Sequence, residues 1–229
     1  MKLPLSNRLL ACCGFVKSGD RVADIGCDHG YLGIYLLKNG IANSIIASDV
    51  NEGPLQSALR NAHKFGVKEK MSFYLSDGVQ NIPRDFDCLV CAGMGADTMI
   101  SILEAAPWLK NEKYRLILQC QSKTPMLRRY LSDQGWHITQ EAVLRDGKFL
   151  YTVMEVSYQP EQPRLLPWEC YFPPAILKDP SAQVPAYYSW VVEGLRITIT
   201  HQNDTEKKQI LQELLSLTGQ QTFHWLKED

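Results

Sequence analysis

What most restricts the fold of this chain is a regular alternation along its first two thirds. Five short apolar runs, RVADIG (21–26), SIIASD (44–49), MSFYLSD (71–77), DCLVCAG (87–93) and YRLILQC (114–120), read as strands. Between them, near 31–39, 53–65, 96–105 and 124–135, apolar residues recur at helical spacing. Strands that alternate with helices imply a parallel sheet covered on both faces. The stretch WHITQEAVLRDGKFLYTVMEVSY (136–158) breaks the rhythm: two strand-like runs meet at Asp146-Gly147, a hairpin signal. The expected α/β fold is therefore a mostly parallel seven-stranded sheet with an antiparallel end.

Residues 159–186 change character, with Pro160, Pro163, Pro167, Pro173, Pro174, Pro180 and Pro185. A domain boundary is expected here, with a main domain over 1–159 and a linker plus small helical unit over 160–229. In that unit, 187–201 carries Tyr188, Val191, Val192, Leu195 and Ile199, and 204–217 carries Ile210, Leu211, Leu214, Leu215 and Leu217. The spacing predicts an antiparallel, coiled-coil-like helix pair joined near Asn203, its apolar stripe forming the pair's own seam.

Composition narrows the function classes. With 45% apolar and 21% charged residues, the 229-residue chain can bury a sizeable core. Its formal charge of −1 gives no global attraction to nucleic acid, so such a partner needs a local patch. Residues 1–159 hold 18 Lys+Arg against 16 Asp+Glu, and 160–229 hold 6 against 9. A patch would draw on Lys2, Arg8, Lys17, Lys123, Arg128 and Arg129, although a solvated helix face explains Arg128 and Arg129 equally well. Seven cysteines, an odd count with Cys12 and Cys13 adjacent and no secretory signal before them, point to a reducing cytoplasm. Cys88 and Cys91 have a metal-ligand spacing, but on a strand they point to opposite faces, so they are expected to be core thiols and no metal is expected. No apolar run reaches membrane-spanning length. A monomer is expected.

The chemistry concentrates after the first strand, in VADIGCDHGYLG (22–33). A nicotinamide or flavin fingerprint needs G-x-G-x-x-G so that backbone can approach a pyrophosphate. Here Gly26-Cys27-Asp28-His29-Gly30 puts bulk and negative charge in that place, which disfavours a dinucleotide. S-adenosylmethionine (SAM) carries no phosphate. Asp24 or Asp28 can receive its ammonium, Gly26 allows close backbone approach, Asp49 suits the ribose hydroxyls, and Asp77, followed by Gly78, suits the adenine amine. The three acids at successive strand ends lie where ligands bind open parallel sheets; singly, each reads as a helix cap. AGMGAD (92–97) faces the same edge, where an acceptor would meet the methyl group.

Five motifs, PLSNRL (4–9), DIGCDHGYL (24–32), SDVN (48–51), SDG (76–78) and AGMG (92–95), resemble the bacterial tRNA methyltransferases that modify N1 of adenine 22, the TrmK family. That resemblance implies a Rossmann-like class I SAM-dependent methyltransferase with a small C-terminal helical hairpin, acting on tRNA as a modification enzyme. Carried onto this sequence, the motifs place Asp24, Gly26, Cys27, Asp28, Gly30, Tyr31, Asp49, Val50, Asn51, Asp77, Gly78, Ala92, Gly93, Met94 and Gly95 around the cofactor. Two positions depart from the family: Gly33 stands where proline is usual, and Ala96 where a further glycine is usual. The first is expected to soften the helix start and the second to stiffen the loop.

Adenine N1 has a free lone pair at neutral pH, so no strong base is needed and positioning dominates. Asp28 is the first candidate to stabilise the developing cation and His29 the second. The competing assignment has Asp28 hold the methionine head or cap the helix, with His29 serving shape alone. Asn7 and Arg8 are candidates to reach over the site. Tyr31 is as consistent with helix packing as with cofactor contact. Alternatives remain: a SAM-dependent enzyme with another acceptor, a non-catalytic SAM- or RNA-binding module and, weakest, a nicotinamide oxidoreductase.

Overall fold

The computed structural model describes residues 3–202 and 204–217. The expected patch member Lys2 and the expected helix junction at Asn203 lie outside the described residues.

Helix α1 (Asn7–Phe15) leads into β1 (Asp20–Ile25), α2 (Tyr31–Lys38), β2 (Ala42–Asp49), α3 (Glu52–Lys64) and β3 (Met71–Leu75). The second half runs β4 (Cys88–Met94), α4 (Ala96–Glu104), β5 (Arg115–Cys120), α5 (Thr124–Asp133), β6 (Trp136–Asp146) and β7 (Phe149–Tyr158). All seven strands form one sheet in the order β3-β2-β1-β4-β5-β7-β6. The first five are parallel, and β7 pairs antiparallel with both β5 and β6. The α/β fold with an antiparallel end is as the alternation implies. Strand order reverses between β1 and β4, which opens a crevice at their carboxyl ends.

Side chains alternate across each strand, so the continuous apolar runs feed two layers at once. Val22, Cys88, Val90 and Ile117 pack beneath α1, α2 and α3, with Cys12, Ile34, Leu36 and Ala58. Ala23, Leu89, Cys91 and Leu118 pack on the other face against α4 and α5, with Met99, Leu103, Leu127 and Leu131. Each fully buried Leu or Ile contributes roughly 1.5–3 kcal/mol. Cys88 and Cys91 thus face opposite layers, and burial pushes both thiols up to about 12. Among the described residues no group of three or more His, Cys, Asp and Glu is placed to hold a metal, and no helix is long and apolar enough to cross a membrane.

Several features differ from the sequence expectation. Helix α1 was not evident in the pattern. Strand β3 stops at Leu75, releasing Ser76 and Asp77 into a turn. Helix α6 (Val184–His201) begins earlier than expected, with Pro185 in its first turn, where the missing N–H leaves nothing unsatisfied. It pairs with α7 (Thr205–Leu217). Its buried stripe is more than a seam: Tyr187, Tyr188, Val191 and Leu195 share one cluster with Ile210 and Leu214 of α7, but also with Val143 of β6, Phe172 and Ile176.

Arg128 requires the largest correction. It is not on a solvated face but fully buried, paired with Glu141 at 2.6 Å. Its guanidinium also donates to the carbonyls of Cys170 and Tyr171 at 2.9 and 3.1 Å and to the Tyr187 hydroxyl at 3.1 Å. That network joins α5, β6 and α6, so Arg128 cannot belong to a surface patch. Arg129, its neighbour, is exposed and pairs with Glu206 of α7.

Candidate active site

A cavity of about 450 Å³ opens at the carboxyl ends of β1, β2 and β4. The chain enters it through a sharp reversal. After β1, Gly26 takes φ 71°, and its N–H and that of Cys27 both donate to the Ser48 carbonyl at 2.9 Å. A side chain at 26 would be strained at that angle and would have to displace the Met94 methyl, so glycine suits the turn. Asp28 follows at φ 50°, a left-handed conformation that Asp tolerates better than most residues, and Gly30 then caps α2.

Asp24 lies on the cavity floor, 5% exposed, and its Oδ2 is buried without a hydrogen-bond partner. Burial pushes its carboxyl up to about 7; the Gly33 backbone N–H opposes that shift and nearby Asp49 adds to it. A proline at 33 would lack that N–H. Gly33 is also packed closely against Ile45 and Met71, so the departure from the family pattern is accommodated by tight packing.

Asp49 bridges two loops. Its Oδ2 accepts from the Asp28 backbone N–H at 3.1 Å and its Oδ1 from that of Asn51 at 2.9 Å. This is partly the local turn role expected of a single Asp, since Asn51 is the cap residue of α3. Gly30, the residue at the cap position of α2, has no side chain to offer, and Asp24 meets the first-turn N–H of Gly33 instead, which is part of the capping role expected of a single Asp. Asp77 is exposed at the rim beside Gly78. The Asp28 and His29 side chains are 70% and 53% exposed at the mouth, with His29 Nε2 3.6 Å from Asp28 Oδ1. Tyr31 lines the cavity with its ring 5.9 Å from that of His29.

The opposite wall comes from β4. Its pairing with β5 slips between Ala92 and Met94, a bulge that turns Gly93 to φ 83°. Gly93 N–H donates to the buried Gln119 Oε1 at 3.2 Å, and Gln121 N–H to the Met94 carbonyl at 2.8 Å. Ala96 is fully buried at the start of α4, so it is packed as a helix residue rather than serving as part of the loop.

The cavity brings together Asp24, Gly26, Cys27, Asp28, His29, Tyr31, Asp49, Val50, Asp77, Gly78, Ala92, Gly93 and Met94, along with Arg8. Gly30, Asn51 and Gly95 support its walls without lining it, each at a helix start. Asn7 does not reach it: its amide donates to the Arg145 carbonyl at 3.0 Å. Arg8 lines the mouth but is tethered by Asp146 at 2.8 Å. Sequence reading missed Gln119, Gln121, Ser76, Thr98 and Ile102 in the lining. Gln119 did leave a signal, an amide at the carboxyl end of an otherwise apolar strand.

Residues 5–154 match a family described as Methyltransferase domain. The chain belongs to that methyltransferase family. It is 33% identical over 154 residues to the tRNA (adenine(22)-N(1))-methyltransferase of Bacillus subtilis, a match covering 67% of this chain and 65% of the relative. The match thus spans just under two thirds of that relative's length. The crystal structure of the Bacillus subtilis m1A22 tRNA methyltransferase TrmK superposes with a TM-score of 0.78 at 27% identity, over 94% of this chain and 96% of that one. Streptococcus pneumoniae Sp1610 in complex with S-adenosyl-L-methionine gives 0.81 at 31% identity, over 92% and 99%. Both structural matches extend past the sheet into the C-terminal helices, and the resemblance carried by DIGCDHGYL and AGMG is borne out.

Proposed function

We propose that this chain methylates N1 of adenine 22 in tRNA, with SAM as donor, in a reducing cytoplasmic setting that suits its seven unpaired, buried cysteines. The observation that carries the donor assignment is Asp24 Oδ2, an orphaned carboxylate oxygen on the floor of a cavity. Buried polar atoms are nearly always partnered, so this one is suited to a ligand donor such as the ammonium of an amino-acid head group. The donor set fits SAM throughout: Asp24 for the ammonium, the remaining lone pairs of Asp49 for ribose hydroxyls, Asp77 for the adenine amine. The activity of its relatives from Bacillus subtilis supports the acceptor.

Bound there, SAM supplies an electrophilic methyl group on a sulfonium. The chain's own residues then have three tasks. The Gly26 turn and the Gly93 bulge bring backbone to the cavity without side-chain bulk. Asp28, held in position by its backbone bond to Asp49, presents a carboxylate at the mouth. There it accepts from the exocyclic amine of the adenine and stabilises the positive charge that methylation places on the ring. His29 shapes the same mouth. No residue needs to remove a proton from N1. Because N1 lies on the Watson–Crick edge, the adenine must be unpaired or turned out of its stem.

The test is purified protein with labelled SAM and unmodified tRNA, followed by mapping of the methylated nucleotide. Label at position 22 supports the proposal; label elsewhere, or SAM binding without transfer, overturns the acceptor or the activity respectively. Asp28→Ala should lower turnover about 100-fold while leaving SAM affinity nearly intact. Equal loss of both would move Asp28 to the donor side.

A further inference from the structure

Three cavities meet at Gln121, which lines the site already described and two outer grooves of about 440 and 400 Å³. One outer groove lies between the start of α5 and α6, the other between the β6–β7 hairpin and α6. Trp190 of α6 stands between them, 59% exposed, with its ring 5.7 Å from that of Tyr187. Phe149, at the start of β7, is 55% exposed. Both of these large flat side chains line the outer grooves, where a ligand can reach their faces.

Phe149 belongs to a ladder that begins at the active-site mouth, and Trp190 lines the same groove. Arg8, which lines that mouth, lies over the Tyr151 ring at 5.1 Å. Tyr151 is 6.2 Å from Phe149, and Lys148 Nζ sits 5.3 Å from the Phe149 ring. Two neighbouring aromatic rings at the start of β7 thus lie between two cations. Among the described residues the two grooves also carry Lys123, Arg145, Lys148 and Lys207 and no Asp or Glu, on a chain whose formal charge is −1. Lys123 and Lys207 have carboxylate partners in Asp97 and Asp204. Arg145 donates to the neutral Gln183 at 3.1 Å, which leaves its charge unneutralised by that contact.

Aromatic platforms flanked by cations suit a single-stranded nucleic acid: bases have faces to stack on, and phosphates have charges to meet. We infer that the face formed by the β6–β7 hairpin and Trp190 docks an unpaired RNA segment. Bases stack on Trp190 and Phe149, phosphates face Arg145 and Lys148, and the strand leads past Gln121 into the cavity. This rests on the tRNA reading above and adds to it where the RNA lies.

The test measures binding of labelled unmodified tRNA, a short single-stranded RNA and a blunt RNA duplex to the full chain. The substituted side chains are exposed, so thermal unfolding and SAM calorimetry should match the parent within about twofold in affinity. Trp190→Ala with Phe149→Ala should weaken tRNA and single-strand binding by about tenfold or more and leave duplex binding unchanged. Trp190→Phe, which keeps a stacking face, should retain binding. Arg145→Ala with Lys148→Ala should reduce the slope of log Kd against log salt by about 1 to 2. Parent-like RNA affinity in both double variants overturns the surface. So does a parent dimer that Trp190→Ala dissociates without changing RNA affinity, which would make this face a contact between copies. If the parent methylates tRNA and the variants bind normally, only the surface fails; if the parent neither binds nor methylates tRNA, the functional reading fails with it.

Discussion

Two of the buried charged sites among the described residues are treated in opposite ways. At Arg128 and Glu141, both fully inaccessible, the guanidinium is saturated by the carboxylate, two backbone carbonyls and a tyrosine hydroxyl. At Asp24 one carboxylate oxygen has no partner. A satisfied buried charge acts as a joint, here holding the C-terminal helices to the sheet through Tyr187. An unsatisfied one is a standing energetic defect that a ligand can repair. The difference teaches that completeness of partnering, rather than burial, separates the structural group from the receptive one.

The comparison breaks most readily at the joint. Arg128→Leu strands Glu141 in the interior and should lower stability by about 3–5 kcal/mol in urea unfolding, whereas Arg128→Leu with Glu141→Leu should recover most of that loss. A cost below about 1 kcal/mol for the single change would remove the contrast. Asp24→Asn is next in size. It should weaken SAM by about 10- to 100-fold by calorimetry, the range expected for one charged hydrogen bond.

The same variant sharpens the contrast through pH. Burial raises the Asp24 carboxyl from 3.8 to about 7, so the folded protein holds an extra proton between those values. Its contribution to stability therefore falls as pH rises from about 4 to about 7, and Asp24→Asn should abolish that slope and be more stable than the parent at pH 8. SAM affinity should run the other way, rising toward pH 7 and then levelling as the carboxylate becomes available to an ammonium. A pH-independent affinity in the parent would take Asp24 off the donor list. The smallest effect belongs to Arg129→Ala. Its pairing with Glu206 is between side chains 46% and 57% exposed, so the loss should be under about 1 kcal/mol and fade with salt.

Arg128 and Arg129 also show what the sequence could and could not disclose. Both sit on one helix and read as one solvated face; their separation into interior and surface depends on Glu141 and Tyr187, 13 and 59 residues away, which no local pattern announces. The sheet was legible because parallel strands covered on both faces must be apolar along their whole length, and the Asp-Gly hairpin because its turn demands those residues. Helix α1 was not, because Ser6 accepts from Leu9 N–H as a cap without the Glu or Gln that completes the signature, and NRLLACCGF buries only its two cysteines. In the site, the acids at the strand ends were legible as a set. That Asp24 is buried while Asp28 is exposed, and that Asn7 turns toward Arg145, follow from tertiary packing alone.

The left-handed turn at Gly26 carries one more consequence. Of the two obstacles to a side chain there, the Met94 methyl can swing aside but the backbone angle cannot. Shortening Met94 should therefore fail to rescue Gly26→Ala, and among relatives of this chain position 26 should stay glycine whatever residue stands at 94.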